Sequence, residues 1–523
     1  MYTAVVPPPS DDQPAQVYRA NSVIDWILHP FLISIYPLLL LYANNADEVE
    51  ITALLRPLFF CLLGASVVLG IFFLSLRNSQ RAALATSLIL ALFYSYGHIY
   101  AYLESTNPLG IALGRHRILF PVWLFILILA LVDIIRWRGS YQVITRLLNM
   151  ITLLLLLFPI LQISFHSIQA RQYSGNNQNP EHAGAQLQLP SEAPDIYYII
   201  LDGYARDDIL KQFYSWDNTD FLNQLESMGF FVARCSQSNY AQTQLSLASS
   251  LNFDYLDALG DQFKPGNPSR AGLPVLIQDS SVRQELTNLG YQTIAFDSGY
   301  DATRIQDADL YLSPNADRGL NDFENMFLRT TAYRLISEGI SFLNLPPDWE
   351  ARDQAHRERI LYTLDVLPSI AEMPGKKFVF AHIISPHWPH VFGPNGEAVH
   401  EHPNSVDGYR NQVIYINNRI LPVISQIIES SDTPPIIIIQ GDHGSVIESP
   451  KRRMSILNAY YLPLDEEAHL FESISPVNTF RVVFNTYFGG KFPVLDNQAN
   501  YSVYDRPYDY TVISDERAGC ESN

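Results

Sequence analysis

Ile436–Ser445 reads I-I-I-I-Q-G-D-H-G-S, and the fold turns on how that stretch is read. Four consecutive isoleucines have no polar face. A strand buried on both sides takes such a run, as in a mostly parallel sheet covered by helices on both faces. In open α/β sheets, ligands bind just beyond the carboxyl ends of the strands. Asp442 and His443, which follow the run at once, are therefore an oxygen and a nitrogen ligand where such a fold builds its site. The same residues also fit a strand-to-loop turn with Asp442 capping a helix, so the reading rests on partners elsewhere.

Ile196–Leu201 (I-Y-Y-I-I-L) repeats the form: a buried strand, then Asp202, then Gly203. Two strand-end carboxylates can converge on one cation; alternatively, Asp202 caps a helix starting near Arg206. Further strands are expected at Phe230–Ala233, before Asp297 (Gly290–Asp297), at Lys377–Ile384 and at Leu457–Leu462. Thr243 sits where an N-cap belongs, ahead of Leu245, Leu247, Ala248 and Leu251, which suit a buried helix. A helix N-terminus offers free N–H groups and a positive dipole end for a phosphate or sulfate. A hydroxyl there serves as a cap, or as a nucleophile when a metal lowers its pKa. Ser246, Ser249 and Ser250 read as small packing residues, Asp348–Arg359 as a solvated helix, and Ser475–Asn485 as an N-capped helix lying on the sheet.

The chain has 523 residues, is 48% hydrophobic and yet carries a formal net charge of −19. Both hold because the apolar residues are concentrated in the first third. Five stretches there are long enough to span a bilayer, which needs ~20 residues per helix: near Ile24–Ala43, Leu54–Leu76, Ala82–Leu103, Ile118–Ile135 and Leu147–His166. Arg19, Arg77, Arg81, Arg136, Arg138 and Arg146 flank alternate ends, against Arg115 and Arg117 on the other side, so the N-terminus is expected in the cytoplasm. Everything after the fifth span then faces outward. Arg56 and Asp133 lie near span ends and His98 is a lone deeper histidine, so an anchor is favoured over a transport path. An acidic chain without basic clusters excludes nucleic acid as the partner. Cys61, Cys235 and Cys520 form no metal-type spacing; the last two could pair, but no disulfide framework is indicated.

Asp202 at a strand end, Thr243 at a helix start and Asp442-His443 after a late strand together resemble the alkaline phosphatase superfamily. More narrowly they are similar to its sulfatase-like, membrane-anchored branch, which includes lipoteichoic acid synthases and lipid phosphoethanolamine transferases. The likeness covers Pro194 to about Tyr487, and the five-span layout covers nearly the whole chain. It implies one divalent cation (Mn, Zn or Mg) held by Asp202, Thr243, Asp442 and His443, with Thr243 as nucleophile. Ser385-Pro386-His387-Trp388-Pro389-His390 resembles the superfamily's His-x-Pro segment at the site. That makes His387 the candidate to contact the transferring group or protonate a leaving oxygen, with His390 second and His382 a packed strand residue. Asp297 stands about where the lipoteichoic acid synthases place a substrate-contacting histidine, and Arg304 could play their phosphate-binding arginine. A sulfatase is less well matched, because no Cys/Ser-x-Pro-x-Arg motif is present.

The expected organisation is a cytoplasmic tail (1–23), a five-helix membrane region (24–166), a polar linker (167–193) and an extracytoplasmic sulfatase-like catalytic domain (194–523). The expected substrate is a lipid or envelope glycan, with no nucleotide involved.

Overall fold

The computed structural model describes residues 26–106, 115–137, 139, 141–174, 187–190, 192–314, 320–339, 348–402, 404–446, 448–463, 469–515 and 520. The expected cytoplasmic tail and positions 175–186 of the expected linker lie outside them. The chain divides into two compact units, one built from Met1–Leu40, Arg56–Pro159 and Thr330–Ala332, the other from the remainder.

The apolar first third forms helices α1 (His29–Ala43), α2 (Leu55–Leu76), α3 (Ser79–Thr106), α4 (His116–Arg136) and α5 (Gln142–Ser174). Four of them, α2 to α5, are long and apolar enough to cross a membrane. The first expected span is shorter than anticipated, because α1 has 15 residues. Phe59, Phe60, Phe125 and Leu154 are exposed on α2, α4 and α5, as side chains facing lipid would be. His98 is exposed rather than packed. The buried histidine of the first unit is instead His29, whose Nδ1 lies 2.5 Å from Ser87 Oγ and whose N–H donates to Asn149 Oδ1 at 2.8 Å. The helix α5 continues to Ser174, past residue 167 where the linker was expected.

The second unit is organised on a seven-stranded sheet: β1 (Ile196–Leu201), β2 (Phe231–Val232), β3 (Gln292–Phe296), β4 (Leu310–Leu312), β5 (Lys377–Ile383), β6 (Ile436–Gln440) and β7 (Asn458–Tyr461), in the order β2-β7-β6-β1-β5-β3-β4. The run β6-β1-β5-β3-β4 is parallel, and β7 pairs antiparallel with both β6 and β2. The four isoleucines follow from this placement. Ile437 and Ile439 join the core on one face with Tyr197, Ile199 and Leu201, while Ile436 and Ile438 join the other with Tyr198 and Ile200. All four are fully buried, and each such side chain contributes about 1.5–3 kcal/mol. The first face is covered chiefly by the long helix Val406–Ser430. The second is covered by α8 (Thr243–Leu251), which follows α6 (Asp207–Tyr214) and α7 (Thr219–Ser227) along the chain, and by the helix Pro476–Tyr487. The helix Asp348–Val366, read as solvated, instead buries Asp353, His356, Ile360 and Leu364. Cys235 and Cys520 form a disulfide, which spacing alone did not indicate.

Candidate metal centre

Parallel pairing places the carboxyl ends of β6, β1 and β5 side by side, since Ile200 is in register with both Gln440 and His382. Asp202 and Asp442 leave the sheet there and are buried. Each carboxylate is held by one oxygen and bare at the other. Asp442 Oδ1 accepts the Gly203 N–H at 3.0 Å. Asp202 Oδ2 lies 3.2 Å from His382 Nε2, which must donate because a carboxylate only accepts. Asp202 Oδ1 and Asp442 Oδ2 have no hydrogen-bond partner. A bare buried carboxylate oxygen is costly unless a cation satisfies it.

His443 points its lone pair at the same place. Its Nδ1 is 2.9 Å from the Gly444 carbonyl, which can only accept, so Nδ1 carries the proton and Nε2 is bare in the neutral ring. That Nε2 lies 3.5 Å from Asp202 Oδ1, 3.3 Å from Asp442 Oδ2 and 3.1 Å from Thr243 Oγ1. Four ligands at ~2.0–2.1 Å around a tetrahedral ion stand about 3.3–3.4 Å apart; adjacent ligands of an octahedral magnesium stand about 2.9 Å apart. The donor set fits a divalent cation, and the three distances from His443 Nε2, 3.1, 3.3 and 3.5 Å, lie around the tetrahedral value. His387 forms a second grouping with Asp202 and His443, and His382 a third with Asp202 and Asp442.

Electrostatics keeps these groups in ligand form. Burial first, and nearby Arg453 second, lower His443 to about 4 against the pull of Asp442 and Asp202, so the ring is neutral at neutral pH. Burial opposes ionisation of Asp202, yet His387, His382 and His443 hold it below the usual carboxylate range. Arg453 is lowered by burial to about 10 and stays cationic.

The surrounding chain fixes this geometry. The Asp442 carbonyl accepts the Ser238 hydroxyl at 2.5 Å and the Ser246 hydroxyl at 2.7 Å, so Ser246 does more than fill space. Arg453 donates through Nε to Ala241 O at 2.5 Å and through Nη1 to Gly444 O at 3.3 Å, tying the segment before α8 to the turn after His443. Gly203 adopts φ +74°, and a Cβ there would meet His387 Cβ at 3.4 Å. The His387 N–H donates to Asp202 O at 2.9 Å, and its Nδ1 to Trp388 O at 2.6 Å, which leaves Nε2 bare.

Some expected residues take other places. Thr243 is the first residue of α8, and Gln242 is the N-cap. Asp202 caps no helix; the one that follows begins at Asp207 with Arg206 as N-cap. His382 is a partner of Asp202, beyond the packing part expected of it. Arg304 is engaged by two carboxylates, Asp297 at 3.3 Å and Asp301 at 2.7 Å. Asp297 also faces Arg359 at 3.4 Å and accepts from Tyr311 OH at 3.0 Å, so it braces arginines. Burial acts to raise it, but Arg304 and Arg359 hold it below the usual range. His390 is buried with its ring 6.2 Å from that of Tyr409, outside the donor groupings. His382 was read only as packing, although it lies next to the end of β5, and Arg453, in the short helix Pro450–Met454, was missed with no local signal to mark it.

Among solved structures, the C-terminal periplasmic domain of EcEptC from Escherichia coli in complex with zinc aligns at 13% identity and a TM-score of 0.40, over 58% of this chain and 85% of that one. The integral membrane lipooligosaccharide phosphoethanolamine transferase A from Neisseria meningitidis aligns at 13% identity and 0.33, over 83% and 88%. The periplasmic domain of phosphoethanolamine transferase EptC from Campylobacter jejuni aligns at 13% and 0.36, over 58% and 92%. The chain is similar to these transferases. No protein-family profile and no curated protein matches it.

Proposed function

We propose that this chain is a membrane-anchored, metal-dependent enzyme that transfers or hydrolyses a phosphoryl-type head-group substituent on a lipid or envelope glycan, with Thr243 as nucleophile. One observation carries the reading: Thr243 Oγ1 stands 3.1 Å from a bare imidazole nitrogen that also faces two unpartnered carboxylate oxygens. Asp202, Asp442, His443 and Thr243 would hold the cation, and the mixed oxygen and nitrogen donors at 3.1–3.5 Å from His443 Nε2 support zinc. When bound, a divalent cation supplies Lewis-acid charge that lowers the pKa of the hydroxyl.

The chain's own groups do the rest. Thr243 Oγ1, on the first turn of α8, bonds to phosphorus as the bond to the leaving oxygen breaks. The N–H groups and positive dipole of that turn favour the nonbridging oxygens. His387, its Nδ1–H held by the Trp388 carbonyl, takes up on Nε2 the proton that the Thr243 hydroxyl gives up and passes it to the leaving oxygen. An acceptor alcohol or water then displaces the threonine oxygen. In this reading residues 24–166 anchor the enzyme and the N-terminus is cytoplasmic. A disulfide between Cys235 and Cys520 supports an oxidising, extracytoplasmic place for residues 194–523.

The test is turnover of a head-group-labelled phospholipid by the purified full chain, followed by mass spectrometry of Thr243. Thr243→Ala should lose at least about a thousandfold in kcat, while Asp202, Asp442 and His443 still bind metal, though less tightly. Equal turnover by the variant refutes the nucleophile. Product that forms only with an added alcohol identifies a transferase, and release in water alone a hydrolase.

A further inference from the structure

The loop between α1 and α2 belongs to the same compact unit as the metal centre, since Leu41–Leu55 groups with the sheet domain. Its Glu48 is held by three neutral donors from three separate segments. Glu48 Oε2 accepts from Gln244 Nε2 at 3.1 Å and from Tyr300 OH at 2.9 Å, and Oε1 accepts from Tyr504 OH at 2.6 Å. Gln244 also donates to the Asp47 carbonyl at 3.1 Å. Around it, Asp47 Oδ1 accepts the Arg270 N–H at 3.2 Å, and the Glu50 N–H donates to Asp301 Oδ2 at 3.0 Å.

Two of the Glu48 partners lead to the centre by short routes. Gln244 is buried in the first turn of α8, directly after Thr243. The Thr303 N–H donates to the Tyr300 carbonyl at 3.0 Å, the Thr303 hydroxyl donates to His382 Nδ1 at 2.9 Å, and His382 Nε2 donates to Asp202. One route orients the hydroxyl, and the other orients a carboxylate of the donor set.

We propose that Glu48 is a positioning residue for this site: it clasps the start of α8 through Gln244 and steadies Asp202 through Tyr300, Thr303 and His382, so that the loop between the first two helices is part of the catalytic unit. The proposal rests on the reading of Thr243 and Asp202 given above. It assigns the N-terminal region a part in catalysis beyond anchoring.

The shape of the clasp makes a distinctive prediction. Glutamine in place of Glu48 keeps the side-chain length and a carbonyl oxygen for Gln244 and Tyr300, and the Tyr504 hydroxyl can turn to accept from the amide. Alanine removes every contact. In the full chain, with head-group-labelled phospholipid as probe, Glu48→Ala should lower kcat about tenfold or more with KM within about twofold, and should weaken zinc retention against a chelator about three- to tenfold. Glu48→Gln should stay within about threefold of wild type on both readouts. Because the clasp acts through Gln244, the Glu48→Ala/Gln244→Ala double variant should lose little beyond the worse single variant. Wild-type kcat and zinc retention in Glu48→Ala overturn the proposal, as do equal losses in Glu48→Gln and Glu48→Ala. Additive losses in the double variant refute the Gln244 route. If Glu48→Ala fails to fold, Gln244→Ala and Tyr300→Phe alone are expected to lower kcat in the same direction, and their silence overturns it. Full turnover by Thr243→Ala, with Glu48→Ala impaired, would instead sink the nucleophile and leave the clasp standing.

Discussion

Replacing Asp442 by asparagine should stabilise the metal-free protein while abolishing its response to metal. The amide oxygen can keep the Gly203 N–H bond now made by Oδ1, and the amide nitrogen takes the position of the bare Oδ2. Asp202 and Asp442 present ligand oxygens within 4.8 Å of each other. Two like charges at that separation repel by about 3 kcal/mol at an effective dielectric constant of ~20. Weakening the Gly203 bond from charge-assisted to neutral costs about 1 kcal/mol, and lost attraction to Arg453 takes part of the remainder. The net gain expected is about 1–2 kcal/mol, or a few degrees in Tm for a unit of this size. Zinc at a hundredfold excess over its Kd should raise wild-type stability by about 2.7 kcal/mol and leave the variant unmoved. Thermal unfolding of chelator-treated full chain, with and without added zinc, reads both. An Asp442→Asn variant that is less stable than wild type without metal and equally responsive to zinc would refute the reasoning, because the carboxylates would then be structural rather than ion-holding.

Acid should weaken the metal-free protein. Burial lowers His443 and His390 to about 4, whereas an unfolded histidine titrates near ~6.5. The unfolded chain therefore binds more protons between those values, so stability falls as pH drops from about 6.5; below about 4 the histidine contribution is gone, and Asp202 and Asp297, held below the usual range, continue the loss. Urea melts across that window check the slope, and His390→Gln, which spares the donor set, should flatten it. Cys520→Ser should cost about 2–4 kcal/mol, read as a lower urea midpoint, and wild type under reductant should match it.

The parts of the fold that were legible are those where burial leaves one solution. Ile196–Leu201, Lys377–Ile384 and Ile436–Gln440 are apolar on both faces because both faces are covered, so their carboxyl ends, with Asp202 and Asp442-His443, could be located along the chain. Partners of those ligands were less legible for a physical reason. His382 alternates inward in a buried strand, where a histidine looks like packing until its register with Ile200 brings it beside Asp202. Arg453 sits in a short helix ten residues past His443, and no periodicity marks its return to Ala241 and Gly444. Arg304 read either as a phosphate-binding arginine or as a surface ion pair, because its bonds to Asp297 and Asp301 form through a turn that no periodicity marks. Glu48 looked like an acidic loop residue because its partners Gln244, Tyr300 and Tyr504 are hundreds of positions away.

The half-occupied state of the two carboxylates has a consequence for which ions the site admits. Gly203 already takes one oxygen of Asp442 and His382 one oxygen of Asp202, so neither can grip an ion with both. Calcium seeks six to eight oxygens and commonly uses carboxylates two oxygens at a time. A pocket that offers one oxygen from each acid, one imidazole nitrogen and one hydroxyl starves that ion of ligands while satisfying a small, nitrogen-tolerant one. The backbone N–H of one glycine and the imidazole N–H of His382 would thus act as selectivity elements against calcium.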